Sequence, residues 1–244
     1  MRVAIVFYGQ PRDYEKGYST IMEFCNKQHG CEFDFYYHCW TLKEGEKFNV
    51  ALSRYISEEQ KTFHEDTLKR LTELYTPISY EYEYQTDAII EPMMEELKAR
   101  NEPLDKNSKN ILFQMYSRTK AKNILKQSNI QYDRVIMTRF DLNIMPDIIL
   151  TETDNESTYI SDYHFPRKIF PDHTVISPMD VFLEWINIYD DLLVLVENEK
   201  MRKLLLSYKE PFGICAESLM LASYVVKNHN LEKIKYFKGG MNER

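Results

Sequence analysis

Short apolar runs alternate with longer stretches of helical spacing along most of the chain. RVAIVFYG (2–9) is almost unbroken apolar and predicts a buried first strand, closed by a turn at GQPR where Gly9 and Pro11 interrupt the pattern. Residues 14–28 then read as a helix, and FDFYYHCW (33–40) as a second strand. Ser57 followed by Gln60 resembles a capping box and predicts a helix running to about Tyr75, with Phe63, Leu68, Leu71 and Leu74 on its inner side. ISYEYEYQ (78–85) alternates Tyr80, Tyr82 and Tyr84 with Glu81 and Glu83, the period of two that predicts a strand with one solvated face. Residues 91–100 predict a short helix, and a longer one runs from Ser108 to about Ser128. Val135, Ile136 and Met137 form another buried strand, and a short one lies near Tyr159 to Ser161. SPMD (177–180) predicts a helix start with Ser177 as cap, Pro178 first in the helix and Asp180 reaching back; that helix runs to about Val196, and a last one begins near Ala216. Strands separated by helices predict an α/β fold with a Rossmann-like, mostly parallel central sheet flanked by helices. No linker interrupts the pattern, so residues 1–244 read as one domain.

One strand breaks its own pattern. In DRVIMTRFDL (133–142) a core run ends in Arg139, Phe140 and Asp141. Positions i and i+2 of a strand share a face, so Arg139, Asp141 and Asn143 emerge together, as an internal salt bridge or as the lip of a site. The preceding helix carries a related oddity: Arg118 and Lys122 lie on the same stripe as Ile111, Met115 and Leu125. Their heads either snorkel to water or reach an anion in a cleft. GQPR sits just past the first strand, where Gly9 admits a ligand close to the backbone, the turn offers N–H groups and Arg12 suits a forked phosphate contact. Open α/β sheets bind ligands at the carboxyl ends of their strands, which is where both loops lie.

The net charge of −7 argues against a nucleic-acid partner, although a local basic pocket for a phosphate-bearing ligand remains compatible with it. The four cysteines show no CxxC pair and no zinc spacing, and read as reduced thiols. No stretch approaches the ~20 apolar residues of a membrane span, and the opening MRVAIVFYG is too short for a signal peptide. A soluble cytoplasmic protein is the expectation. Asp162 with His164 offers a weak pair of metal donors, while His38 and Trp40, at the end of the second strand, suit either ligand contact or core packing.

GQPR, DFYYHCW, NILFQMYSRTKAKNIL and YDRVIMTRFDL, in that order, resemble the divergent GT-A-type glycosyltransferases of large DNA viruses, algae and bacterial polysaccharide loci. SPMDVF, Asp172 and AESL match that family more loosely. The resemblance implies a nucleoside-diphosphate sugar as donor and a glycan or glycoprotein hydroxyl as acceptor. It divides the domain into a donor-binding half (1–145) and an acceptor-binding half (146–244). It implies donor contacts from Tyr8, Gly9, Gln10, Arg12, Arg118, Lys122 and Arg139, and a base at Glu217, with Asp162, Asp172 and Asp180 as rivals. Family members commonly hold Mn²⁺ or Mg²⁺ with a D-x-D pair. Here Arg139 replaces the first aspartate, which leaves Asp141 as the implied metal ligand, or Arg139 itself to offset diphosphate charge. The rival readings are another α/β nucleotide-binding enzyme, such as a nucleotidyltransferase or phosphotransferase, and a non-catalytic carbohydrate- or partner-binding protein. The absence of G-x-x-x-x-G-K-[ST] and G-x-G-x-x-G counts against the common forms of the first.

Overall fold

A computed structural model of the chain describes residues 1–48, 57–102, 104, 107–142, 147–161, 173–200, 203 and 215–237. Seven strands form one sheet: β1 (Arg2–Gly9), β2 (Glu32–Thr41), β3 (Ser79–Tyr84), β4 (Arg134–Arg139), β5 (Thr158–Ser161), β6 (Val175–Ser177) and β7 (Ile234–Phe237), in the spatial order β3-β2-β1-β4-β6-β5-β7. β3, β2, β1 and β4 run parallel; β6 is antiparallel to both β4 and β5, and β7 is parallel to β5. The helices are α1 (Tyr14–Lys27), α2 (Glu58–Lys61), α3 (Asp66–Tyr75), α4 (Asp87–Ala99), α5 (Ser108–Gln127), α6 (Met179–Trp185), α7 (Leu192–Glu197) and α8 (Ala216–Val226). The fold is therefore α/β, with a mostly parallel central sheet between helices.

β1 lies at the centre of this sheet because both of its faces are apolar. Val3, Ile5 and Phe7 bury against Ile21 and Phe24 of α1 and Leu71 and Tyr75 of α3. Ala4, Val6 and Tyr8 bury on the other face with Leu112, Met115 and Leu125 of α5. A fully buried side chain of this size contributes about 1.5–3 kcal/mol, so a strand loaded on both faces is stable only between two helical layers.

Several sequence expectations need correction. The helix expected from Ser57 to Tyr75 is split into α2 and α3. Between them the backbone turns to pair with 45–48: Phe48 N–H donates to Lys61 O at 2.9 Å and Phe63 N–H to Glu46 O at 2.9 Å. Ser177 is the last residue of β6 rather than a helix cap, and its hydroxyl meets that of Thr158 at 2.9 Å. The helix expected to run on to Val196 stops at Trp185, because the next turn is tied to α5: Lys122 Nζ donates to Asn187 Oδ1 at 2.6 Å and Tyr189 N–H to Thr119 Oγ1 at 3.2 Å. β3 is an edge strand whose two sides are reversed from the expected pattern: Tyr80 and Tyr84 are exposed, while Glu83 turns under α5 to accept from Tyr116. β6 and β7 escape a periodicity reading at three and four residues. Cys25, Cys31, Cys39 and Cys215 are free, and among the described residues no helix is long and apolar enough to cross a membrane.

Candidate functional site

The strand order descends from β3 to β1 and then resumes at β4, so it reverses between β1 and β4. In open α/β sheets such a reversal leaves a crevice at the carboxyl ends of the two strands. Gly9–Arg12 leave β1 there, and Arg139–Asp141 end β4 beside them, with Tyr8 and Arg139 as cross-strand neighbours.

Phe140 sets the geometry of the second loop. Its ring is fully buried on the α1/α3 face, stacked on Phe7 at 5.1 Å and edge-on to Tyr37 and Tyr75. With Phe140 anchored on that face, its neighbours Arg139 and Asp141 are turned to the opposite side. α1 closes against the same turn through Gly17, where an added Cβ would lie 1.8 Å from the Phe140 carbonyl oxygen. Only a residue without a side chain fits there.

Arg139 donates from Nε to Asp141 Oδ1 at 2.8 Å and from Nη2 to Asp141 Oδ2 at 2.7 Å, a forked pair. Arg12 Nη2 donates to Asp141 Oδ2 at 3.0 Å. The side chains of Arg12, Asp141 and Arg139 retain 13%, 14% and 25% of their exposure, so the group is recessed yet reachable from solvent. Burial works to raise the Asp141 carboxyl, but Arg139 and then Arg12 outweigh it and hold the group below the ordinary carboxylate range. Among the described residues the group thus joins two guanidinium cations through one carboxylate.

That donor set does not suit a divalent ion. Both oxygens of Asp141 already accept guanidinium protons. At an effective dielectric constant of about 20, a dication ~5 Å from one guanidinium is repelled by roughly 7 kcal/mol, and Asp141 carries two such groups. Among the described residues no cluster of three or more His, Cys, Asp or Glu side chains is arranged to hold a metal.

The other expected residues divide between this edge and the interior. Gly9 has φ +97°, open space around its α-carbon and an N–H donated to Ser117 Oγ at 2.8 Å. Arg12 N–H turns back to Gln10 O at 2.9 Å, so these two N–H groups, expected to face a ligand, are used within the protein. The Gln10 side-chain amide donates to Gln85 Oε1 at 3.0 Å. Arg118 does not snorkel: at 1% exposure its guanidinium lies 4.2 Å from the Tyr8 ring centroid, donates to the Tyr8 hydroxyl and approaches Met220 Sδ of α8 at 2.8 Å. Tyr8 is 2% exposed, so this pair underlies Arg139 rather than facing solvent. Lys122 is also buried, one turn further along α5, and is committed to Asn187. Glu217 stands in the first turn of α8, where its Oε2 accepts from Cys215 Sγ at 2.8 Å. Asp172, Asn143, Asp162 and His164 lie outside the described residues. Trp40 is core, stacked on Tyr116 at 5.5 Å.

Sequence reasoning missed the support beneath Gly9. Ser117 Oγ, which accepts from Gly9, lies 2.7 Å from His38 Nδ1, and His38 Nε2 lies 3.5 Å from Glu83 Oε1. Glu83 also accepts from Tyr116 at 2.9 Å and pairs with Lys120 at 2.7 Å. Ser117 and His38 are both fully buried, so the Ser–His–Glu series braces the loop and is not a nucleophile open to substrate. The placing of His38 inside the apolar run DFYYHCW was the available signal, because a histidine in a strand buried on both faces needs a partner.

No protein-family model matches the chain, and no curated protein matches it. Among solved structures, the chain is similar to the galactosyltransferase LgtC in complex with donor and acceptor sugar analogs, at 10% identity and a TM-score of 0.39, covering 97% of this chain and 73% of that one. It is similar to mouse xyloside xylosyltransferase 1 in its apo form at 8% identity and a TM-score of 0.41, covering 96% and 83%. The narrower likeness to viral and algal enzymes rests on the sequence motifs alone.

Proposed function

We propose that the protein is a glycosyltransferase that takes a sugar from a nucleoside-diphosphate donor and passes it to a hydroxyl of a glycan or glycoprotein. The observation that carries this reading is the pair of arginines, Arg12 and Arg139, held side by side on Asp141 at the β1/β4 reversal. A departing nucleoside diphosphate develops negative charge, and fixed guanidinium groups aimed at it lower the barrier without reorganising. Gly9 keeps the backbone beside them free of a side chain, and the buried Arg118–Tyr8 pair supports the floor. In an inverting reaction Glu217 is the base that takes the acceptor proton, with Asp172 as the alternative.

The test is a thermal-shift panel of UDP, GDP, CDP and dTDP with their sugars, followed by a donor-hydrolysis assay on whichever binds. One nucleotide class is expected to raise the midpoint, and its sugar donor to release nucleotide slowly in the absence of acceptor. Binding without any nucleotide release assigns the chain to the carbohydrate- or partner-binding class instead. Glu217→Gln is expected to lower turnover at least 100-fold with saturating acceptor; a rate near wild type removes it as the base.

A further inference from the structure

We infer that Asp141 is a clasp for two arginines rather than a metal ligand, and that the β1/β4 edge binds a diphosphate without a divalent cation. The inference rests on the proposed donor for its natural ligand, but its physical basis is the geometry at the edge. Asp141 is the carboxylate that the family resemblance offered to a metal, and it accepts from Arg12 at 3.0 Å and from Arg139 at 2.7 and 2.8 Å. A carboxylate so engaged orients cations; it has no oxygen left without a guanidinium partner. A diphosphate brings the opposite charge, and planar guanidinium groups suit its oxygens better than a point charge does.

The parts that fix this arrangement are rigid. Arg139 closes β4 in register with Tyr8, Phe140 is locked in an aromatic cluster and Gly17 of α1 is pressed against the turn. Arg12 arrives from the other strand. The carboxylate common to both guanidinium groups sets their spacing before any ligand comes, so binding meets less of the ordering cost that two loose arginines would incur. Asp141 is thus a positioning residue, and Arg12 and Arg139 make the contact.

The test is isothermal titration of the whole chain with inorganic pyrophosphate, and with the nucleoside diphosphates, in EDTA and again in Mn²⁺. Pyrophosphate is expected to bind in EDTA, with Mn²⁺ changing its affinity less than three-fold. Arg12→Gln and Arg139→Gln should each weaken metal-free binding at least ten-fold. Asp141→Ala should weaken metal-free binding three- to ten-fold, an effect that a pure metal ligand would not show; urea midpoints and Asp141→Asn check that the fold survives. Binding only with Mn²⁺, no binding of pyrophosphate, indifference to the arginine substitutions, or metal-free binding unchanged or tighter in a folded Asp141→Ala protein would each overturn the inference. Failure of the donor reading is distinct: metal-free pyrophosphate binding with no nucleoside diphosphate bound keeps the clasp and removes the donor.

Discussion

At Gly17 one methyl group decides whether the site can form. A Cβ there meets the Phe140 carbonyl oxygen at 1.8 Å, and because that atom is backbone the turn itself must move. Gly17→Ala gains about 1 kcal/mol of helix propensity, yet overpacking of this kind costs roughly 1–3 kcal/mol, and the displaced turn leads directly into Asp141. The expected result is a lower urea midpoint together with weaker pyrophosphate binding; a midpoint at or above wild type with unchanged binding would show that the turn yields freely. The same residues show what sequence could reach. That Arg139 and Asp141 share a side follows from strand alternation alone. Their mutual pairing, and the arrival of Arg12 from 129 positions away, depend on the β1/β4 register, which no local pattern encodes. Gly17 looked like any helical glycine, since its neighbour is remote in sequence.

The brace under Gly9 joins β1, β2, β3 and α5 through Ser117, His38 and Glu83, and it makes stability depend on pH in two steps. Burial holds the His38 ring below its ordinary 6.5, against the raising influence of Glu83. Glu83 is held down from 4.5 to about 2, first by His38 and, against burial, by Lys120 and Tyr116 as well. Both folded-state values are depressed, so the unfolded chain binds more protons and stability is lost on acidification. The loss begins below pH 6.5 through His38 and continues from 4.5 towards 2 through Glu83. Urea midpoints measured from pH 7.5 to 3 should fall in this order, His38→Gln flattening the upper limb and Glu83→Gln the lower; parallel curves for all three proteins would remove the brace as the cause. Elements with a long uninterrupted signal, such as the apolar runs of β1 and β2 and the unbroken helical stretch of α5, were legible in the sequence. The breaks were not: the pairing of 61–63 with 45–48 and the bonds from α5 to 187–189 are tertiary contacts that override local helix signals.

Over the whole molecule, ligand binding at one end of the central strands must stabilise the entire sheet. A nucleoside diphosphate at 100 times its Kd adds about 2.7 kcal/mol, which for a chain of this size raises Tm by roughly 5–10 °C. A differential-scanning titration checks this, and a Tm indifferent to every nucleoside diphosphate contradicts the donor reading. The central place of β1 also governs how the protein is made. Its neighbour β2 follows soon after, but the contact from Arg2 N–H to the Asp133 carboxylate, at the start of β4, spans 131 residues. At ribosomal speeds of about 5–20 residues per second, the nascent chain carries β1 with one edge unpaired for roughly 7–26 s. An apolar strand in that state invites pairing with another chain. Yield during synthesis, more than stability of the finished protein, is therefore where damage to the β1/β4 seam will first be felt, and Arg12 waits through that interval for the partner that completes its site.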